Sequence, residues 1–207
     1  MLTSIEENNV KNVYEKIAVH FDNTRVYTWK WIDEFINSFP KNSTICDVGC
    51  GNGRNMMFPE YNFIGVDNCR AFLDICISKN LQVVQANMTK LPFKNNKFNG
   101  IICIAAFHHI YSNISKIECL LEMKRIIKSG GRILLSVWSK QQPEKTRRVF
   151  NSYGHNFVEW NKYGEVYDRY YYIFKESELK KLFAEVGLVI VNSKYDCGNE
   201  IYTLTKL

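Results

Sequence analysis

The stretch Asp47-Val48-Gly49-Cys50-Gly51-Asn52-Gly53 decides the fold, because it comes straight off a β-rich run, Ser43 to Val48. Glycines at alternate positions let the backbone turn tightly and approach a ligand that side chains would exclude. A dinucleotide fingerprint needs G-x-G-x-x-G, whereas here the third glycine comes one residue early and an acid precedes the first by two. A carboxylate is unwelcome beside a pyrophosphate and suits a ligand that carries positive charge. The next β-rich run, Tyr61 to Val66, leads into Asp67, a carboxylate placed to accept both hydroxyls of a ribose. The alternative role for Asp67 is N-cap of a helix beginning near Cys69. The run ending Gln85-Ala86-Asn87-Met88 offers an amide and an apolar side chain to an adenine amino group and ring.

Outward from the loop, β-rich runs at Leu81 to Ala86, Ile101 to Ala106 and Gly131 to Val137 alternate with helix-patterned segments such as Cys69 to Lys79 and Ser115 to Lys128. That alternation predicts βαβ units around a parallel sheet. Only Arg54 to Glu60 separates the glycine loop from the second strand, short of the roughly ten residues a crossover needs, so the first crossover helix is predicted to be vestigial. Val13, Ile17, Ala18 and Phe21, then Trp31, Ile32, Phe35 and Ile36, recur at helical spacing and predict two N-terminal helices. At the other end, a helix from about Glu176 to Val186 stops at Gly187, and the runs Leu188 to Asn192 and Ile201 to Leu204 predict an antiparallel pair added to the sheet. No repeat or linker interrupts the chain, so residues 1–207 are expected to form one domain.

The 207 residues, 46% hydrophobic, are enough for a substantial core, and a net charge of +6 favours a polyanionic partner. No apolar run approaches the roughly 20 residues that span a bilayer, and the polar, acidic N-terminus does not read as a signal peptide. The seven cysteines contain no C-x-x-C pair, which fits reduced thiols in a cytoplasmic protein and predicts no metal site. Cys103, inside an apolar run, reads as core filler.

Several motifs in order carry a family resemblance: V-Y-E-K-I-A-V-H-F-D-N-T-R (Val13 to Arg25), the glycine loop, L-P-F (Leu91 to Phe93), I-A-A-F-H-H (Ile104 to His109), F-V-E-W (Phe157 to Trp160) and R-Y-Y-Y-I-F-K-E-S-E-L (Arg169 to Leu179). Jointly the chain resembles the eukaryotic wobble-uridine tRNA carboxyl methyltransferases, from about residue 12 to the C-terminus. The resemblance implies an α/β, Rossmann-like class I fold: a mostly parallel seven-stranded sheet with a C-terminal antiparallel pair and helices on both faces. Residues 1–40 would cover the site, 41–137 form the cofactor-binding core, 138–175 a basic and aromatic substrate segment, and 176–207 the terminal helix and strand pair.

The implied cofactor is S-adenosylmethionine, whose ammonium and sulfonium suit Asp47, with Gly49, Gly51, Gly53, Asp67, Asn87, Met88 and Ala105 around it. The family usually has Asp where Asn87 stands. The implied reaction is methylation of the carboxylate of 5-carboxymethyluridine to the methyl ester. A carboxylate has a pKa near 4 and is already ionised, so the reaction needs orientation more than a base. Arg25, as a bidentate fork, and His109, as a hydrogen-bond donor, are the candidates to hold it, with His108 beside them. Trp138, Arg147, Arg148, Arg169 and Tyr170 are candidate contacts to a tRNA anticodon loop, since mixed basic and aromatic groups neutralise phosphates and stack on unpaired bases. The lysine-rich insertion that related enzymes carry after F-V-E-W is nearly absent here. A small zinc-binding activator protein is the implied partner, docking along the edge strand 81–86 to give a heterodimer. The competing readings are a methyltransferase for a quinone, sterol or carboxylic acid, and a catalytically silent scaffold that binds cofactor or RNA.

Overall fold

The computed structural model describes residues 2–146 and 148–206. Its strands in chain order are Thr44–Val48 (β1), Asn62–Asp67 (β2), Val83–Gln85 (β3), Phe98–Ile104 (β4), Ile127–Trp138 (β5), Gly154–Lys162 (β6), Glu165–Ile173 (β7), Leu188–Asp196 (β8) and Asn199–Lys206 (β9). Seven of them form one sheet in the order β3-β2-β1-β4-β5-β9-β8, while β6 and β7 form a separate antiparallel hairpin. Neighbours from β3 to β5 pair parallel, and β9 joins β5 and β8 antiparallel, the predicted terminal pair.

The helices are Ser4–Glu6 (α1), continued by a π-helical turn Glu7–Lys11 into Asn12–Thr24 (α2), then Lys30–Asn37 (α3), Arg70–Ser78 (α4), Asn113–Ile126 (α5) and Glu176–Glu185 (α6). Between β1 and β2 there is only a 3-10 turn, Arg54–Met56, the expected remnant of a crossover helix. Central strands are buried on both faces, so consecutive residues go to opposite layers. Ile45, Ile102 and Leu134 pack with Trp31, Ile32 and Leu73 under α3 and α4, while Cys46, Cys103 and Leu135 pack with Leu120, Met123 and Phe183 under α5 and α6. Cys103 is wholly buried there, as core filler.

Local chemistry sets the helix ends. Ser112 caps α5 by accepting from the Ser115 N–H at 3.0 Å, and Gly187 ends the turn after α6 with φ +68°. Helix α4 has no cap of its own: Glu15 of α2 accepts from the N–H groups of Arg70 and Ala71 at 2.6 and 2.9 Å. A carboxylate from a distant helix thus supplies the acceptors that the free N–H groups of α4 require, and its charge complements the helix dipole.

The hairpin was not foreseen within the basic and aromatic segment. Lys162 pairs with Glu165 across a two-residue turn whose Tyr163 and Gly164 both have positive φ, +52° and +95°. Such a turn is usually signalled by Asn-Gly or Asp-Gly, and the tyrosine hides it.

Candidate active site

A partly enclosed cavity opens at the carboxyl ends of β1, β2 and β4, where an open α/β sheet binds ligands. Gly49, Gly51, Asp67, Asn87, Met88 and Ala105 line its sheet side, all of them predicted from sequence. Gly49 has φ +77°, and a Cβ built there would meet the Ala106 Cβ at 2.4 Å, so the loop folds only with glycine. Ala105 itself stands in the left-handed region at φ +52°, held by its N–H to Ser136 at 3.0 Å from the carbonyl and 3.1 Å from Oγ. A non-glycine residue strained in this way is found most often at functional sites.

The Asp67 carboxylate accepts from the Gly51 N–H at 2.9 Å through one oxygen and from the Cys69 N–H at 2.9 Å through the other. It braces the glycine loop against β2 while lining the cavity, and it satisfies a backbone N–H at the start of α4, where Glu15 supplies further acceptors. Burial raises its carboxyl above the usual range, opposed by the backbone N–H groups of Cys69, Gly51 and Asn68.

Two of the predicted cofactor residues lie beneath the cavity rather than on it. Asp47 is fully buried, neither carboxylate oxygen has a hydrogen-bond partner, and burial, with neighbouring Asp67 adding and Arg54 opposing, pushes it up to about 8. Gly53, at φ +75°, is packed beside Leu81 and Cys76.

The N-terminal helix closes the cavity from above through residues to which the sequence assigned no role in the site. Tyr14 and Phe21 line it, and Asp22 Oδ1 accepts from Asn52 Nδ2 of the glycine loop at 2.8 Å and from Lys79 Nζ at 2.6 Å. The same Asn52 amide donates to the Arg25 carbonyl at 3.1 Å. The D-N-T-R part of the N-terminal motif is therefore a tie between α2 and the loop, which fixes where Arg25 emerges. Arg54, also unpredicted, lines the cavity with its guanidinium 4.6 Å over the Trp29 ring.

Beyond the cavity, α2 and the β6–β7 hairpin pack together through Val13, Ile17 and Trp160. Three arginines gather at this junction. Arg169 is 5% exposed and lies 4.6 Å over Trp160, Arg25 lies 5.3 Å over the same ring, and Arg148 lies 4.1 Å over Trp138. None of the three forms a salt bridge among the described residues; their guanidinium groups donate to the Thr24 carbonyl, the Gln142 amide oxygen and the Tyr171 hydroxyl. Burial first, then mutual repulsion, lowers Arg25 and Arg148 from the usual guanidinium value. The Arg169 Nε is buried without a partner.

His109 lines the cavity, with Nδ1 2.7 Å from the Tyr170 carbonyl and Nε2 3.1 Å from the Tyr14 hydroxyl. Both ring nitrogens are therefore engaged, so the donor expected for a substrate carboxylate is committed within the protein. His108 does not reach the cavity: it is fully buried, Nδ1 accepts from the Trp138 N–H at 3.0 Å, and Nε2 has no partner. Trp138 stacks on Tyr171 at 4.2 Å and 7°, with Arg148 also over its ring, so little of its π surface is open to a base. The Tyr170 side chain turns to the other side of the hairpin, toward His155 Nδ1 at 2.8 Å, and only its carbonyl serves the site. Arg147 lies outside the described residues.

Among known proteins, the Methyltransferase domain family matches residues 46–135. The tRNA (carboxymethyluridine(34)-5-O)-methyltransferase of Schizosaccharomyces pombe is 30% identical over 94% of this chain and 94% of its own length. The relative of the same name with the suffix alkbh8 in Xenopus tropicalis is 33% identical over 70% of this chain, which spans only 23% of that longer protein. By fold, an S-adenosylmethionine-dependent methyltransferase of Clostridium acetobutylicum superposes with a TM-score of 0.70 at 17% identity, covering 94% of this chain and 99% of that one. The methyltransferase chain of a complex with a methyltransferase activator from Haloferax volcanii gives 0.66 at 13% identity, covering 95% and 96%. With the class I strand order in place and a relative of this identity matched nearly end to end, the chain belongs to the tRNA (carboxymethyluridine(34)-5-O)-methyltransferase family.

Proposed function

We propose that the chain methylates the carboxylate of 5-carboxymethyluridine at the tRNA wobble position, forming the methyl ester with S-adenosylmethionine as donor. The carrying observation is the group of three arginines that have no acidic partner among the described residues and lie beyond the mouth of the cavity. Cations crowded together at this burial lack a counter-ion, and an anionic acceptor supplies one.

The residues fit the cofactor. The Asp67 carboxylate is at hand for ribose hydroxyls, Val66, Phe72, Met88 and Ile104 are apolar lining suited to the adenine, and the unpaired Asp47 carboxyl lies under the loop, where a cationic ligand favours its ionised form. When bound, S-adenosylmethionine supplies an electrophilic methyl group on a sulfonium. The chain's own task is to bring an already ionised carboxylate to that position and hold it there. Arg25 and Arg169 are suited to grip it, because a guanidinium offers two parallel N–H donors to a carboxylate. Arg148 is suited to an adjoining phosphate. Phe157 and Tyr163 on the hairpin are exposed, 53% and 82%, and are platforms for unpaired bases. Lys16 and Lys162, beside them, add charge for the backbone.

A zinc-binding activator is proposed along β3, which is only three residues long and has its outer edge unpaired within the sheet. Six of the cysteines are buried and all seven are free, which supports a reducing, cytoplasmic setting. No described helix is long and apolar enough to cross a membrane. The test is transfer of label from S-adenosylmethionine to bulk tRNA carrying 5-carboxymethyluridine, with the activator co-expressed. Alkali-labile label that vanishes with Arg25→Ala supports the reading; cofactor binding with no label in tRNA overturns it.

A further inference from the structure

The direction of each hydrogen bond around Tyr14 is fixed by the groups at the two ends. Arg169 Nη1 can only donate, and it lies 2.7 Å from the Tyr171 hydroxyl. The Tyr170 carbonyl can only accept, so His109 Nδ1, 2.7 Å away, carries a proton. In an uncharged imidazole Nε2 then holds a lone pair and accepts from the Tyr14 hydroxyl at 3.1 Å. Having donated there, the Tyr14 oxygen accepts from the Tyr171 hydroxyl at 3.2 Å. Four bonds thus run one way, from Arg169 through Tyr171 and Tyr14 to His109 and the Tyr170 carbonyl.

We propose that Tyr14 is a positioning residue: its hydroxyl closes a one-way chain that keeps His109 an uncharged acceptor and turns the free edge of Arg169 toward the acceptor carboxylate. The assignment rests on the function proposed above. Two further observations point the same way. The Nη1 of Arg169 is spent on Tyr171, whereas its buried Nε has no partner, and a guanidinium grips a carboxylate in two parallel bonds through an edge of this kind. His109 packs against two phenols and a second imidazole, Tyr14 on α2 at 3.1 Å, Tyr171 on β7 at 4.5 Å between ring centroids and His108 in its own turn at 4.7 Å, with the Arg169 charge opposing its protonation. Burial, aided by the Arg169 charge and opposed by the Tyr170 carbonyl, pushes its pKa down to about 3. A charged imidazole would need Nε2 to donate to Tyr14, reversing the next bond and placing a second cation beside Arg169.

This chain also explains why a histidine at the carboxyl end of β4 is no acid or base here. Methyl transfer to a carboxylate asks for neither, and a titrating group next to the acceptor would compete with the arginines for it.

The first test uses the protein alone: nitrogen-15 shifts of the His109 ring in the full-length chain. The expected result is the Nδ1-protonated tautomer, with no titration between about pH 5 and 8. An Nε2-protonated ring, or a midpoint inside that window, overturns the proposal. The second uses methyl transfer to tRNA by Tyr14→Phe, Arg169→Lys and the double variant, with cofactor binding checked for each. Each single variant is expected to lose activity on the order of a hundredfold, the scale of a misplacement near 1 Å. The double variant is expected to lose no more than the worse single one, because both act through one chain. Losses that multiply mean that Tyr14 acts elsewhere and overturn the assignment. If the native protein transfers nothing to tRNA, the proposed function fails, and the ring tautomer still decides whether the chain exists.

Discussion

Two glycines of one loop should fail in different ways when each is given a methyl group. At Gly49 the added Cβ would sit 2.4 Å from the Ala106 Cβ, whereas carbon atoms in contact lie about 3.5–4.0 Å apart. More than an ångström must be found by moving β1 against the turn after β4, and overpacking of this kind costs about 1–3 kcal/mol. The φ of +77° adds about 1–2 kcal/mol for a residue with a Cβ. Gly49→Ala should therefore lose about 2–5 kcal/mol, a large part of a total stability of about 5–15 kcal/mol. At Gly51 the φ is +53° and nothing lies within 4 Å of the built Cβ, so Gly51→Ala carries only the backbone cost of about 1–2 kcal/mol. That open space belongs to the cavity, so the same methyl group should obstruct S-adenosylmethionine. Urea unfolding and calorimetric titration with the cofactor measure the two effects separately. The reasoning is refuted if the two variants unfold alike, or if Gly51→Ala binds the cofactor as the native protein does.

Glu15→Ala should destabilise the protein by about 0.5–2 kcal/mol, the usual worth of a helix cap, with the loss read by urea unfolding; an unchanged midpoint would show that α4 does not need its borrowed cap. Asp47 holds its proton up to about 8 when folded but only to its ordinary 3.8 when unfolded, so the folded state binds the extra proton and this group's contribution to stability falls as pH rises from 3.8 to about 8. Asp47→Asn should remove that decline, and melting curves of both proteins across the window should diverge with rising pH, the variant being the more stable at the upper end. His108→Leu strips the acceptor from the Trp138 N–H, in a part-buried bond, and should cost about 1–3 kcal/mol, while methyl transfer per folded molecule changes far less; the opposite ranking would place His108 in the chemistry.

The sheet was legible in the sequence because its determinants are local. Apolar runs such as Ile101 to Ile104, alternating with helix-patterned segments, give the parallel core, and the short Arg54 to Glu60 spacing gives the missing crossover helix. The sheet side of the cavity was legible for the same reason, since glycines with positive φ and a carboxylate at a strand end are read from single positions. What stayed hidden depends on partners far away in the chain. Tyr14 touches His109 and Tyr171, Glu15 caps a helix 55 residues on, and Asp22 meets the loop at Asn52. Each falls inside a motif that the family resemblance marks, yet spacing alone gives none of them a task. His108 and His109 look equivalent as neighbours, and only the fold sends one into the core and the other to the cavity.

The packing of α2 against the β6–β7 hairpin also bears on when the protein can become active. The Trp160 Nε1 donates to His20 Nδ1 at 3.0 Å, and Asn9 Nδ2 to the Asp168 carbonyl at 3.2 Å, contacts that join residues 140 and 159 positions apart. During synthesis the first helix leaves the ribosome with its apolar stripe uncovered and waits for most of the chain before its partner arrives. The glycine loop and β1 to β4 are complete long before that. Until the hairpin is made, α2 has no partner to hold it over the cavity, so the enclosed site is completed only by segments that follow the glycine loop by a hundred residues or more.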